Sequence, residues 1–351
     1  MSQIAKRNIR MSPAEYINEK GILKQLGTIL SQKGLHKPVI LTDKTVYPII
    51  QPYLPKAFLE RHPVEIFGGS CTFEEINRLT DKLGSFDVLL AFGGGQLIDT
   101  AKLVADRLHI PIINSQTVPS NCAAITTKSI VYSQAHEKID NVRHKKAVDM
   151  VLLEPNILMT APREYILSGI GDTLAKYYEI RRRLTLEKTS QLSLRIGRFF
   201  IDLCREEMLK VKDLENLTEE EVINLIDTIF LVAASVDGIS DQDGHSVIAH
   251  AFYNGYVKIQ QNYTKTHGET VALGSLVQIL IEGEDQLAQE IVTYHKRVGL
   301  PLTLKELGLE DEDEIDELAS YIARPEDSRV QSIFPDLNER LVRQTLEMIR
   351  G

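Results

Sequence analysis

Short apolar, β-branched runs alternate with amphipathic stretches through the first part of the chain. "KPVILTD" (37–43) reads as a buried strand ending in a turn-prone Asp, and "VEIFGGS" (64–70) as a second strand ending in Gly-Gly. In "FEEINRLTDKLG" (73–84), Ile76, Leu79 and Leu83 recur at helical spacing and a glycine stops the pattern. "FDVLLAF" (86–92) is a third strand, "LIDTAKLVADRL" (97–108) a helix and "IPIINS" (110–115) a fourth strand. Strands alternating with helices in this way predict a parallel sheet with helices on both faces. "SIVYS" and "DMVLLEP" within 129–153 read as strands, and the polar, basic segment between them as a hairpin or excursion. After Pro162 long amphipathic patterns dominate, at 163–186, 188–211, 218–237, 246–258, 268–283, 285–298 and 334–350. The expected organisation is therefore an α/β domain over 1–160 and an all-α domain over 161–351, with the boundary near 158–164. The charge run "LEDEDEIDEL" (309–318) reads as the solvated start of a helix.

Composition narrows the class. A chain of 351 residues fits two domains, and 43% hydrophobic with 25% charged residues is ordinary globular composition. A net charge of −9 argues against a generally basic nucleic-acid-binding surface but leaves small anionic ligands open. Three widely spaced cysteines, Cys71, Cys122 and Cys204, do not make a disulfide framework and fit a reducing cytoplasm. The first residues lack an apolar signal region, and no apolar run is expected to approach the roughly 18 residues of a membrane span.

Two groups of residues carry candidate chemistry. In "FDVLLAFGGGQLIDTAK" a strand runs through three glycines into a helix, so the backbone can approach a ligand closely and the helix start offers N–H groups to a phosphate. This is not a GxGxxG fingerprint, and a plain tight turn would use the same residues. Asp43, at the end of the first strand, could accept from a ribose 2′-hydroxyl and would repel a 2′-phosphate, although Asp is also common in turns. The second group is Asp172 in "SGIGDTLAKYYE", His250 in "GHSVIAHAFYNG" and His267 in "THGETVALG". An Asp/His/His set suits a catalytic divalent metal with one position open. Spacing alone equally allows capping or core histidines. His245 lies five residues before His250 and off its helical face. "ISDQDG" is not an EF-hand loop, because Ile239 stands at the first ligand position.

Taken together, "GGGQLIDTAK", "VDMVLLEPNILMTAP", "SGIGDTLAKYYE", "IAHAFYNG", "HGETVALG" and "VGLPLTLKELG" resemble the iron-containing alcohol dehydrogenase superfamily and its glycerol dehydrogenase-like branch, over nearly the whole chain. The resemblance implies an N-terminal dinucleotide-binding domain, a C-terminal helical domain and an active site in the cleft between them. It puts the metal ligands on Asp172, His250 and His267. It puts the cofactor on Asp43 for the adenosine ribose, Gly94 and Gly95 for the pyrophosphate, Asp99 in the turn-helix, and Thr117 and Ser120 in the following loop. Where the iron-dependent branch has a further histidine, this chain has Lys176, and three ligands look like the zinc-using type. NAD is favoured over NADP by Asp43. Relatives in the branch form dimers and higher assemblies, so a homo-oligomer is expected.

Departures from the branch bear on the substrate. Where glycerol dehydrogenases carry an Asp that binds polyol hydroxyls, alignment of "SNCAAITTKSIVY" puts Cys122. Lys176 lies one helical turn beyond Asp172, on the same face, where an ion pair with Asp172 is the simpler reading. Losing a carboxylate and gaining an ammonium shift the expectation from a polyol toward a small anion, as in hydroxycarboxylate dehydrogenase relatives. Lys128 stands where the branch usually has an apolar residue near the cofactor, and Gln96 where it often has Lys. The expected activity is thus metal-dependent, NAD(P)-linked interconversion of a small 2-hydroxy acid and its 2-oxo acid. Glycerol dehydrogenase is the alternative. Behind it stand a dehydroquinate synthase-like lyase, for which the "RRR" at 181–183 is the only dense basic cluster in the helical domain, and a non-catalytic nucleotide-binding protein.

Overall fold

The computed structural model describes residues 8–135, 137–185, 191–260, 264–324 and 326–351. The chain divides into two compact units. One is Arg10–Pro162; the other is Arg163–Gly351 together with Asn8 and Ile9.

The first unit is built on a parallel sheet of six strands among the described residues: β1 (Glu15–Asn18), β2 (Pro38–Thr42), β3 (Val64–Ile66), β4 (Val88–Gly93), β5 (Ile112–Gln116) and β8 (Met150–Leu153), in the order β1-β8-β5-β4-β2-β3. The central strands are buried along their whole length, as parallel strands covered on both faces must be. Ile40, Val88, Leu90, Phe92, Ile113, Met150 and Leu152 join one core with the short helices α1 (Leu26–Gln32), α2 (Val46–Ile50) and α3 (Lys56–Arg61). The alternate strand residues, Val39, Leu41, Leu89 and Ala91, face the opposite side. There α4 (Phe73–Leu83) packs on α5 (Gly95–Leu108), and α5 packs on β4 and β5.

"SIVYS" does not enter this sheet. It forms β6 (Lys128–Tyr132), which pairs with β7 (Lys138–Arg143) as a separate antiparallel hairpin. The hairpin is fastened to α5. His144 lies between Ser129 Oγ at 2.8 Å and Asp106 Oδ2 at 2.6 Å, and Ile130 N–H donates to Asp99 Oδ2 at 2.9 Å. The short α6 (Pro155–Leu158) follows β8, capped by Glu154.

The second unit is helical: α7 (Arg163–Ile180), α8 (Leu192–Lys210), α9 (Glu219–Asp227), α10 (Ala233–Ser240), α11 (Ile248–Ile259), α12 (His267–Glu282), α13 (Asp285–Val298), α14 (Glu312–Ala323), α15 (Ser328–Gln331) and α16 (Glu339–Met348). The first residues of the helix expected at 188–211, and residue 186 of the one before it, lie outside the described residues. α7 and α12 are apolar nearly all round and buried over most of their length, which makes them the central pair. A capping box of Thr218 and Glu221 starts α9, and a π-helical turn at Thr228–Val232 joins it to α10. Contrary to the expectation that no apolar run approaches a membrane span, Glu219–Gly244 is a helical run long and apolar enough to cross one by length and composition alone. Its apolar residues are spread over several helix faces, and here it packs on α8, with Val236 and Ala233 in a core shared with Ile201 and Cys204. The acidic run at 309–318 opens α14, whose N-cap Asp311 accepts from Asp313 and Glu314 N–H groups.

Candidate metal centre

Three helix segments of the second unit meet at one point because two glycines let them. A Cβ on Gly171 would fall 2.2 Å from the carbonyl oxygen of Gly268, and one on Gly268 would fall 1.7 Å from that of Ser168. Only glycine at both positions allows α7 and the start of α12 to cross so closely, and Gly268 N–H donates to Ser168 Oγ at 3.0 Å across the crossing. Asp172 follows the first of these glycines and His267 precedes the second, so the crossing that needs glycine also brings the two side chains together. His267 is the first residue of α12, whose start is fixed by the capping box of Thr266 and Glu269. His250 lies in the first turn of α11.

Asp172 Oδ1 is 3.4 Å from His250 Nε2 and 3.5 Å from His267 Nε2. One ligand atom from each of the three lies within 4.8 Å of the others. A tetrahedral ion with ligand bonds of about 2.0–2.1 Å holds its ligands about 3.3 Å apart, so these spacings fit one small divalent cation. Burial works against the charge of Asp172, but hydrogen bonds to His250 and His267 and the Lys176 charge outweigh it and hold the carboxyl well below its usual range. Tyr253 stacks edge-on against the His267 ring, with centroids 4.2 Å apart.

Glu179 completes the centre, and sequence reasoning missed it. Its carboxylate is buried and accepts three N–H groups: Val247 N at 2.7 Å, His250 N at 3.0 Å and His250 Nδ1 at 2.7 Å. Burial would raise its pKa, but His250 and the two backbone donors lower it below the ordinary value. An ionised carboxylate only accepts, so Nδ1 of His250 carries a proton and Nε2 faces Asp172. That is the outer carboxylate–histidine arrangement that orients a metal-binding imidazole. Burial alone would lower the His250 pKa; Glu179 and Asp172 reverse this and raise it to about 9. Gln278 on α12 supports the same turn, accepting from Ile248 N at 3.2 Å and donating to the Tyr178 carbonyl at 3.0 Å. The missed signal was spacing: Asp172 and Glu179 are seven residues apart, two turns along one face of α7.

Lys176 lies on that face between them and is buried. Its Nζ stands 3.9 Å from Asp237 Oδ1 on α10, and its charge also acts on Asp172. The structure gives the "RRR" segment other work. Arg181 pairs with the buried Glu282, and Arg183 donates to the carbonyls of His245 and Arg329.

The remaining sequence-predicted residues belong to the first unit. Asp43 caps the turn after β2, its Oδ1 accepting from Thr45 N and Val46 N at 2.8 Å each. β4 passes through Gly93 to Gly94, the extended N-cap of α5, which makes no side-chain capping bond, and Gly95 opens the helix. Gln96 is exposed, and its Oε1 accepts from Cys71 N at 3.1 Å. Thr117 follows β5, and its buried Oγ1 has no hydrogen-bond partner among the described residues. Ser120 and Cys122 are buried in the loop that follows, and Lys128 opens β6. The carboxylate of Asp99 is engaged within the protein, by Ile130 N and by Lys102 Nζ at 2.9 Å. Lys102, which the sequence reading passed over, is buried and donates to the carbonyls of Ala123, Thr126 and Lys128 at 2.9, 3.1 and 2.6 Å. It holds the loop that carries Cys122 against α5.

Comparison with known proteins agrees with this architecture. The family model for iron-containing alcohol dehydrogenase matches residues 13–155. The chain is 32% identical over 329 residues to hydroxycarboxylate dehydrogenase A of Escherichia coli, covering 91% of each protein. It is 28% identical over 312 residues to a glycerol dehydrogenase of Thermotoga maritima, covering 86% of each. Among solved structures, a probable glycerol dehydrogenase from Sinorhizobium meliloti shares the fold with a TM-score of 0.81 at 23% identity, covering 97% of this chain and 98% of that one.

Proposed function

This chain belongs to the iron-containing alcohol dehydrogenase family, and from that premise we propose that Asp172, His250 and His267 hold one divalent cation at the centre of a dehydrogenase site. The protein is a metal-dependent, NAD-linked oxidoreductase acting on the CH–OH group of a small substrate. The observation that carries the metal assignment is the convergence of the three side chains with Glu179 behind His250. When bound, the cation supplies Lewis-acid polarisation of the substrate oxygen and the nicotinamide supplies hydride transfer. The chain's own residues do the positioning. Glu179 fixes the His250 tautomer, and the Gly171–Gly268 crossing sets the spacing of Asp172 and His267.

For the nucleotide, the start of α5 at Gly94 and Gly95 has no capping side chain and is suited to a pyrophosphate. The Thr117 hydroxyl, without a hydrogen-bond partner among the described residues, lies in the loop after the neighbouring strand. Asp43 spends one oxygen on its own turn and keeps the other for a ribose hydroxyl, which favours NAD over NADP. Asp99 acts here through Lys102 and Ile130, as a support of the loop.

The substrate we favour is a 2-hydroxy acid or its 2-oxo acid. Lys176 supports it, as a buried ammonium one helical turn from Asp172 that can share its charge between Asp237 and a substrate carboxylate. Cys122, in place of the branch's acidic residue, points the same way. A polyol is the second reading, because several relatives are named glycerol dehydrogenases. We favour zinc over iron on the three-ligand set, and a cytoplasmic homo-oligomer, since Cys71, Cys122 and Cys204 form no disulfide with one another. The test is loss of reduced-nicotinamide absorbance with zinc or ferrous iron supplied, on 2-oxobutanoate and 2-oxoglutarate against dihydroxyacetone. Turnover on the acids, lost in Lys176→Ala, supports the hydroxy-acid reading. Turnover on dihydroxyacetone alone overturns it in favour of the polyol.

A further inference from the structure

Asp237 lies in α10, and Asp241 and Asp243 lie in the turn that follows it. The last two act away from the metal centre. Asp241 accepts from Asn8 N at 3.1 Å, and the Asp243 charge acts on the half-buried Arg183 guanidinium. Asp237 instead stands with Oδ1 3.9 Å from Lys176 Nζ, and the two side chains are only 17% and 11% exposed. That distance makes an ion pair but is too long for a hydrogen bond, so at this contact Asp237 opposes the ammonium's charge without taking one of its protons. The neighbouring bases of the helical unit are committed elsewhere. Arg181 pairs with Glu282, Arg183 donates to the His245 and Arg329 carbonyls, and Lys265, two residues before His267, stands 3.2 Å from Glu269. Lys176 is thus the base that this unit places beside Asp172, and Asp237 is its counter-charge.

We propose that Asp237 is a specificity-determining residue that limits the substrate to one carboxylate: the first is held by Lys176, and a second is repelled by the Asp237 charge. The inference rests on the reading of Lys176 as the group that holds a substrate carboxylate, and it narrows that reading to 2-hydroxy and 2-oxo acids whose far end is uncharged. With one carboxylate on the ammonium, the positive charge of Lys176 is already answered twice, by the substrate and by Asp237. A second carboxylate, a few bonds further along the substrate, enters the field of both acids. Arg181, Arg183 and Lys265 are occupied and do not answer it. In a site as buried as this one, like charges are screened far less than in water. An alkyl end carries no such penalty. A repulsive charge selects in this way without touching the substrate that it admits.

The test compares 2-oxobutanoate, 2-oxoglutarate and 5-methyl-2-oxohexanoate, whose branched end has the shape of a carboxylate without its charge. KM and kcat are read for each on the full chain with NADH and zinc supplied, for the wild type, Asp237→Asn, Asp237→Ser and Lys176→Met. Calorimetry of 2-hydroxybutanoate and 2-hydroxyglutarate binding to the zinc-loaded chain gives a readout apart from turnover. We expect wild-type kcat/KM for 2-oxoglutarate to lie about tenfold or more below that for its uncharged analogue. Asp237→Asn closes most of that gap, lowering the KM of the dicarboxylate more than that of either monocarboxylate, and calorimetry shows the same order for the hydroxy acids. Asp237→Ser makes the same comparison if Asp237→Asn fails to fold. Lys176→Met weakens binding of every acid. Equal use of 2-oxoglutarate and its uncharged analogue by the wild type overturns the proposal while leaving the Lys176 reading in place. So does an Asp237→Asn protein whose KM rises alike for every acid, which would make Asp237 a support for Lys176 and nothing more. Unchanged acid binding in Lys176→Met, or a wild type that neither binds nor reduces any of the acids, overturns both.

Discussion

Replacing Glu179 by Gln tests the centre without removing a ligand. The exchange keeps the side-chain volume and an oxygen for the Val247 and His250 backbone N–H groups, now 2.7 and 3.0 Å from the carboxylate. What it takes away is the acceptor 2.7 Å from His250 Nδ1. An amide turned to satisfy the backbone presents its NH2 to the imidazole, which then becomes the tautomer protonated on Nε2, with its proton aimed at Asp172. A metal must displace that proton or force the new amide to turn its oxygen from the Val247 and His250 backbone N–H groups to the imidazole. Loss of such an outer carboxylate costs 10- to 100-fold in metal affinity in comparable centres, or about 1.4–2.8 kcal/mol. The assay is zinc affinity by competition with a chromophoric chelator on the full chain, with a circular dichroism melt in excess chelator to confirm folding and NAD affinity as a second control. The expected result is metal affinity down 10-fold or more, with NAD affinity unchanged. A folded Glu179→Gln protein that binds zinc within about twofold of wild type would refute the reasoning, because the tautomer would then not be set by Glu179.

Two further expectations follow from buried charge. Lys102→Met leaves Asp99 buried without its ammonium partner and frees three carbonyls that Lys102 now ties; urea unfolding followed by circular dichroism should show a loss of about 3–5 kcal/mol, and a loss under about 1 kcal/mol would mean the loop does not depend on it. His295 is buried with Nδ1 donating to the Pro301 carbonyl at 2.9 Å, and burial lowers its pKa to about 4. The unfolded chain takes up this proton near pH 6.5 and the folded chain only near pH 4, so the contribution is full above the upper value and is lost as pH falls through the window. The loss is roughly 3 kcal/mol in all, and His295→Asn, which keeps a donor but does not titrate, should flatten the slope of stability against pH between those limits; coincident slopes in the two proteins, compared in chelator, would count against it.

The fold was legible where local pattern and tertiary environment agree. The central strands are buried on both faces and read as continuous apolar runs, and the long helices of the second unit read by their period. β1 was not legible, because "EYIN" is half-exposed and polar, and only its pairing with β8 makes it a strand. The residues of the first unit's short helices α1 to α3 cover too few turns to show a period. The candidate site divides along a different line. Asp172, His250 and His267 stood out by residue type, yet nothing in their spacing says that they meet; that information lies in Gly171 and Gly268, where any larger side chain would hold α7 and α12 apart. Glu179 and Lys102 were missed because charged residues read as solvent-facing, and the same rule shows why they matter once their burial is seen. Removing a carboxylate or an ammonium from water costs several kcal/mol unless every oxygen and proton finds a partner. Glu179 finds three donors around one histidine, and Lys102 finds three carbonyls and Asp99 around one loop. A charge buried at that cost fixes the position of whatever surrounds it, which is what a metal ligand and a ligand-binding loop require.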